Sequence, residues 1–294
     1  GSNAKMLSRE IATTLGGRFW NKDVYPYSFA EYLNARNIIL SKNWMYGKQA
    51  AEVSKAFNDY FLYGGFPELT DVIAKRVWLN DIYSKIFFSD LIVRNKVRNE
   101  EALGLLVRRL AENVKQPVSY TRLANLISSI GIKISKATVI EFIRYLKESC
   151  LIFPIENYAA KFAERNSNMK HYFIDNGLLS IFLLDGNTSL LENIVAIHLY
   201  KRYGAQLYFY NQNIEVDFVI PEAKTAIQVS YSLMDETTCR REVEGLIKLN
   251  RVFPMDNMCI ITRDEERIIT HESGVSIHVI PVWKWLLEEE PLQT

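Results

Sequence analysis

The chain has 294 residues, 48% of them apolar and 23% charged, the balance of a globular protein with room for two or three domains. Its 35 Lys and Arg stand against 34 Asp and Glu. A net charge of +1 excludes a chain that is basic throughout, so any nucleic-acid contact has to rest on a local patch.

Gly1-Ser2-Asn3-Ala4 reads either as a cloning remnant or as native chain. Residues 5–15 are predicted helical, Gly16-Gly17-Arg18 breaks that helix, and residues 19–24 suit a short strand. Ser28 is placed to N-cap a helix over 29–34. A helix over 50–63 ends at Gly64-Gly65, and Phe66-Pro67-Glu68 is a turn. Amphipathic helices come next at 72–88, anchored by Trp78, Tyr83, Phe87 and Phe88, and at 99–113.

In residues 120–130, Leu123, Leu126, Ile127 and Ile130 recur at helical spacing, and Gly131 ends the run. Ser135 caps a second helix with the stripe Val139, Phe142, Ile143 and Leu146. Strand-like segments at 151–158 and 170–175 flank the polar loop 161–168. Helix, turn, helix and hairpin is the order of a winged helix-turn-helix. Asp185-Gly186-Asn187 has the turn signature of a boundary. Beyond it the pattern is a helix over 190–203, strands over 206–210, 214–220 and 225–231, a helix over 236–252 and a strand over 258–262. A strand over 276–281 and a helix over 282–288 complete it.

Cys150, Cys239 and Cys259 are too few and too widely spaced for a disulfide framework or a CxxC zinc knuckle, which fits a reducing cytoplasm. His171, His198, His271 and His278 form no HxxxH or HExxH pattern, and the apolar run at 177–184 is far short of a membrane span. Polar first residues argue against a signal peptide. Cys150 reads as a small buried apolar residue, and His198 as a core histidine. The run Tyr208-Phe209-Tyr210 reads as core packing, and Arg240-Arg241 and residues 263–267 as solvated surface.

Two adjacent strands carry polar pairs. Glu215 and Asp217 share one face of 214–220, and Gln228 and Ser230 share one face of 225–231, opposite Ile227, Val229 and Tyr231. With the preceding helix, which carries Glu192, this order resembles the core of metal-dependent nucleases of the PD-(D/E)XK, or restriction-endonuclease-like, type. There a helix Glu, a strand Asp and an acid-x-Lys converge on Mg²⁺ or Mn²⁺, hard ions that take carboxylate ligands. The resemblance puts Glu192 and Asp217 at the acid and metal-binding positions. Gln228 stands where the second strand acid belongs, and Ser230 where the lysine belongs. Gln removes a charge and a ligand, and Ser cannot act as a cation. The site is therefore expected to be degenerate, with Lys224 or Glu215 as the neighbours that could stand in. The structural alternative keeps the fold as a scaffold, with Glu192 and Asp217 hydrogen-bonded at a sheet edge.

A second resemblance covers essentially the whole chain. Residues 1–11, Gly17-Arg18 and Tyr25-Pro26-Tyr27-Ser28-Phe29-Ala30-Glu31-Tyr32 resemble the sensor-1 segment and the stretch after it in a family of prokaryotic AAA-type ATPases. Tyr63-Gly64-Gly65-Phe66-Pro67 is similar to that family's YGGFP signature. Asp81-Ile82-Tyr83, the winged-helix block and the Glu-Val-Asp-Phe strand resemble its C-terminal region of unassigned function. The resemblance implies a truncation, since neither a phosphate-binding loop nor a Walker-B strand occurs here. ATP hydrolysis by this chain alone is not expected; ATP would belong to the full-length protein. The resemblance places Asn3 at sensor 1 and Arg18 as an arginine finger; the alternatives are a tag residue and a helix-end arginine.

On the winged helix, Lys133, Lys136, Thr138, Arg144, Tyr145 and Lys147 are the candidate DNA contacts, with Lys161 and Arg165 at the wing tip. Glu141 and Glu148 dilute that patch. The expected fold is α/β plus α: the tail of an ATPase module over 1–70, a helical winged-helix domain over 71–185 and a restriction-endonuclease-like domain over 186–294. The expected function is a DNA-binding or regulatory module with a degenerate nuclease fold. A Mg²⁺- or Mn²⁺-dependent nuclease and a protein-interaction scaffold are the alternatives. Double-stranded DNA and a second copy of the chain are the candidate partners, and no membrane is.

Overall fold

The computed structural model describes residues 23–161, 165 and 168–288. The predicted helix at 5–15, Asn3, Arg18 and most of the strand predicted at 19–24 lie outside them; Asp23 and Val24 are not in a strand. Helix α1 (Phe29–Ala35) starts at a capping box: the Glu31 N–H donates to Ser28 Oγ and the Ser28 N–H to the Glu31 carboxylate, at 3.2 and 2.7 Å. Helix α2 (Lys48–Tyr63) ends at Gly64, whose φ of 79° reverses the chain. Helix α3 (Lys75–Lys85) continues into a π-helix (Ile86–Val93), so the helical stretch runs past the predicted end at residue 88. Helix α4 (Glu100–Glu112) begins at Asn99, whose side chain accepts the Ala102 N–H.

Helices α5 (Tyr120–Ser128) and α6 (Lys136–Glu148) come after strand β1 (Val118–Ser119). The α6 stripe is buried as predicted. On α5, Leu123 and Ile127 are buried, but Ile130 lies beyond the helix end and is exposed, because the helix stops at Ser128. Cys150, expected inside, is also exposed; it takes φ of 54° just after α6 and leaves the core to Leu151.

Strands β2 (Ile152–Asn157) and β3 (Asn168–Phe173) form the antiparallel hairpin. Short α7 (Asn176–Ser180) leads to α8 (Asn187–Tyr203). Then come β4 (Tyr208–Asn211), β5 (Glu215–Ile220), β6 (Thr225–Val229), α9 (Glu236–Val252), β7 (Asn257–Thr262), β8 (Arg267–Thr270), β9 (Ser276–Pro281) and α10 (Val282–Glu288). Strand β8 is not among the predicted elements: three of its four residues are exposed, so an edge strand with two wet faces shows no alternation.

Among the described residues the fold is mixed α/β, ten α-helices around one nine-stranded sheet of order β1-β3-β2-β4-β5-β6-β7-β9-β8. The hairpin joins that sheet through a parallel pairing of β2 with β4. Asn157 reinforces the seam, donating to the Asn211 carbonyl at 2.6 Å and accepting the Asn211 N–H at 3.0 Å. Sheet and core therefore both cross the turn at Asp185-Gly186-Asn187. Strand alternation gives the sheet two apolar faces. Phe218, Ile220 and Ile227 join the larger core with α8 and α10, while Val219 and Ala226 join a second core with Leu246 and Ile247 of α9.

Candidate functional site

Helix α8 is buried along most of its length, which carries Glu192 inside at 4% exposure. Opposite it lies β3, where Lys170 and Tyr172 are both fully buried. The Lys170 ammonium stands 3.0 Å from Asp217, 3.2 Å from Glu192 and 3.5 Å from Glu215. Three donors thus meet three carboxylates from two other elements. The Tyr172 hydroxyl donates to the same Glu192 oxygen at 2.7 Å. The second Asp217 oxygen accepts the Val229 N–H at 2.9 Å.

Charge inside a protein must be paired to persist. Burial works against the Lys170 charge, but Glu192, Asp217 and Glu215 together outweigh it and hold its pKa above the ordinary value. Burial pushes the Glu192 carboxyl up to about 7, against the pull of Lys170. Burial, with Glu192 next in weight, raises the Tyr172 phenol well above its usual value, so Tyr172 is a donor.

Gln228 has a different role from the one its position suggests. Its amide oxygen accepts the Asp217 N–H at 2.9 Å and its amide nitrogen donates to the Glu215 carbonyl at 3.1 Å. The side chain extends the β5–β6 ladder beyond the last backbone pair, Phe218 with Ile227. Gly245 of α9 leaves the room for it: a Cβ there would come within 2.9 Å of the Gln228 amide nitrogen. Ser230 lines the same cleft but donates to the Ser232 carbonyl at 3.0 Å. Lys224 does not stand in for the missing lysine; it sits at the far end of β6 beside Asp256 at 3.4 Å. Glu215 does join the cluster.

The cluster forms the floor of an open cleft of about 690 Å³. Lys115, Arg241 and Lys248 lie on its walls with Thr188 and Glu242. Arg241, solvated surface as expected, pairs with Glu242 at 2.7 Å; Lys115 donates to Thr188 at 2.9 Å. A hard divalent ion needs several free oxygen ligands. Here Glu192 and Asp217 are engaged by Lys170, Tyr172 and Val229, and Gln228 by the backbone. Among the described residues no group of three or more His, Cys, Asp or Glu side chains is placed to hold a metal ion. With Lys170 among them, these side chains do not present a set of free oxygen ligands that fits Mg²⁺ or Mn²⁺.

Lys170, Tyr172 and Arg241 are not among the site residues expected from the sequence. The signal for Lys170 was a lysine in a strand with Met169, Tyr172 and Phe173, residues that favour the interior. Its partners come from residues 22 to 47 positions away, which no local pattern reveals.

The winged-helix candidates divide. Lys133, Lys136, Arg144 and Lys147 are exposed and Thr138 half-buried. Arg144 pairs with Glu148 at 3.2 Å and lies over the Tyr145 ring. Tyr145 is buried and its hydroxyl donates to Glu141, so it is not free to reach a base. Lys161 is exposed, while Arg165 donates to the Ala160 carbonyl at 3.2 Å. His198 packs on Trp285 with ring centroids 4.7 Å apart, as a core histidine does.

The Tyr63-Gly64-Gly65-Phe66-Pro67 run has a packing role. The Gly65 N–H donates to the buried Asp175 carboxylate at 2.7 Å, and Asp175 also caps α7 through the Gly177 and Leu178 N–H groups. A Cβ on Gly64 would stand 1.9 Å from Asp175, and one on Gly65 2.3 Å from the Tyr27 carbonyl. Both positions therefore demand glycine.

A domain of unknown function, DUF8612, matches residues 54–189. An uncharacterized protein of Methanocaldococcus jannaschii is 32% identical over 301 residues, covering 98% of this chain and 68% of that protein. An uncharacterized protein of Haemophilus influenzae is 30% identical over 297 residues, covering 98% of this chain and 70% of that protein. The chain belongs to their family. The matched domain takes in Gly64, Gly65, Lys170 and Asp175 and stops short of Glu192 and Asp217. No solved structure matches the chain.

Proposed function

We propose that this chain is the part of an AAA-type ATPase that comes after its ATP-binding half, and that it binds duplex DNA through α5, α6 and the hairpin without cutting it. The observation that carries the absence of cleavage is Lys170: its ammonium sits among the carboxylates that a nuclease would turn toward a metal. Gln228, fixed to the β5 backbone, supplies no replacement ligand. Support for DNA contact comes from exposed Lys133, Lys136 and Lys147 around the start and solvent face of α6. Support for the ATPase context comes from the relatives, about a third of whose length lies outside the match. That is room for the phosphate-binding loop and Walker-B strand that this sequence lacks. Three widely spaced cysteines, none of them in a disulfide, support a cytoplasmic setting, and among the described residues no helix is long and apolar enough to cross a membrane.

Incubating labelled duplex and single-stranded DNA with the protein and Mn²⁺ tests this reading, with Asp217→Ala alongside. The expected result is intact duplex with either protein, retarded by the wild type. Lys133→Ala with Lys136→Ala should weaken retention and lower the salt slope by about 2. Cleavage that disappears in Asp217→Ala would overturn the reading in favour of a nuclease; intact, unretarded DNA at low salt would overturn it in favour of protein partners.

A further inference from the structure

The structure assigns the Lys170–Glu192–Asp217–Glu215 cluster a new role: it is a clasp that fixes the β2–β3 hairpin against α8 and β5, with Lys170 as the positioning residue. The acids come from α8 and β5 and the cation from β3, so the cluster exists only when the hairpin is seated. Two consecutive α8 residues grip β3 along its length. Glu192 takes Lys170 and Tyr172, on the same side of the strand two residues apart. Asn193 takes the next residue, accepting the Phe173 N–H at 2.8 Å and donating to the Phe173 carbonyl at 3.2 Å. The Lys170 side chain is wholly inaccessible, and those of Glu192 and Asp217 are 5% and 13% exposed, so solvent does not replace these contacts.

The acids of a site that resembles a nuclease thus hold a structural element in place. The hairpin packs with α6, so the clasp also sets where the exposed α6 lysines stand; that last step rests on the DNA-binding reading, while the clasp itself does not.

Thermal unfolding and amide hydrogen exchange, measured without nucleic acid, test the clasp. Lys170→Met leaves Glu192 and Asp217 buried without a counter-charge. It should lower Tm by about 10 °C and speed exchange in β3 ahead of α9. That deficit should shrink as pH falls from 8 to 5, as the unpaired carboxyls take up protons. The triple variant K170M/E192Q/D217N, with every charge of the buried core of the cluster neutralised, should regain most of the loss. Should Lys170→Met fail to fold, Asp217→Asn provides a milder form of the same measurement, since Lys170 keeps Glu192 and Glu215. Unchanged Tm and β3 exchange in Asp217→Asn would overturn the clasp, as would a triple variant no better than Lys170→Met. DNA retention by the wild type, scored separately, reads the proposed function and leaves the clasp untouched.

Discussion

Glu192 and Asn193 are neighbours on α8, yet each anchors a buried network of a different kind. Asn193 belongs to a network of amides and backbone groups. It donates to Asn176, and Asn176 in turn donates to the carbonyls of Phe61 and Leu190 at 2.9 and 3.0 Å. Beside it, the Asp175 carboxylate accepts the Gly65 N–H. Glu192 belongs to the charged cluster, where one buried cation serves three carboxylates. Neutral partners satisfy one another locally, and each lost bond costs a modest amount. A charged cluster stands or falls with its counter-ion, because an unpaired buried charge has no cheap alternative.

The largest effect should separate the two. Lys170→Met is expected to cost about 3–5 kcal/mol, because it strands two carboxylates at once. Urea unfolding measures it; a loss no larger than that of Asn176→Ala would erase the distinction. Next comes steric failure of the neutral network. A Cβ on Gly177 would stand 2.1 Å from the Tyr63 carbonyl, so Gly177→Ala should cost about 1–3 kcal/mol or more, read in the same titration.

Acid sharpens the contrast in a third way. His171 is buried, and burial lowers its pKa to about 4 from 6.5. The unfolded chain therefore binds the extra proton first. Stability from this residue is complete above pH 6.5 and lost as pH falls through 4, on the order of 3 kcal/mol in all. Asp175 runs the other way: burial raises it to about 6, so its contribution is complete below pH 4 and lost as pH rises through 6. Replacing His171 with Leu should flatten the acid limb of a stability-versus-pH curve between 6.5 and 4 and leave the Asp175 limb in place. The smallest effect belongs to the surface. Arg144→Ala breaks a pair whose arginine is 55% exposed, and a chemical melt should show a change within about 1 kcal/mol.

Local signals placed most of the elements. The Ser28 and Ser135 caps and the α6 stripe lie where their spacing put them, and β5 and β6 fall within their predicted spans, since caps and periodicity act within a few residues. Glu192 and Asp217 were legible as candidates only through the resemblance to nuclease cores. Their use was not. Gln228 looks like a lost ligand in the sequence and proves to be a strut between strands, a role that depends on Gly245 from the next helix.

Where most of the chain turns helical or extended was written in the order of its amino acids, because those choices are made over one or two turns of backbone. Tertiary packing, and nothing local, decided that the hairpin joins the main sheet at β4, and that a lysine from β3 meets acids from α8 and β5. Those pairings link residues many positions apart, and the energy that selects them, burial of charge with its counter-charge, does not exist until the core has closed.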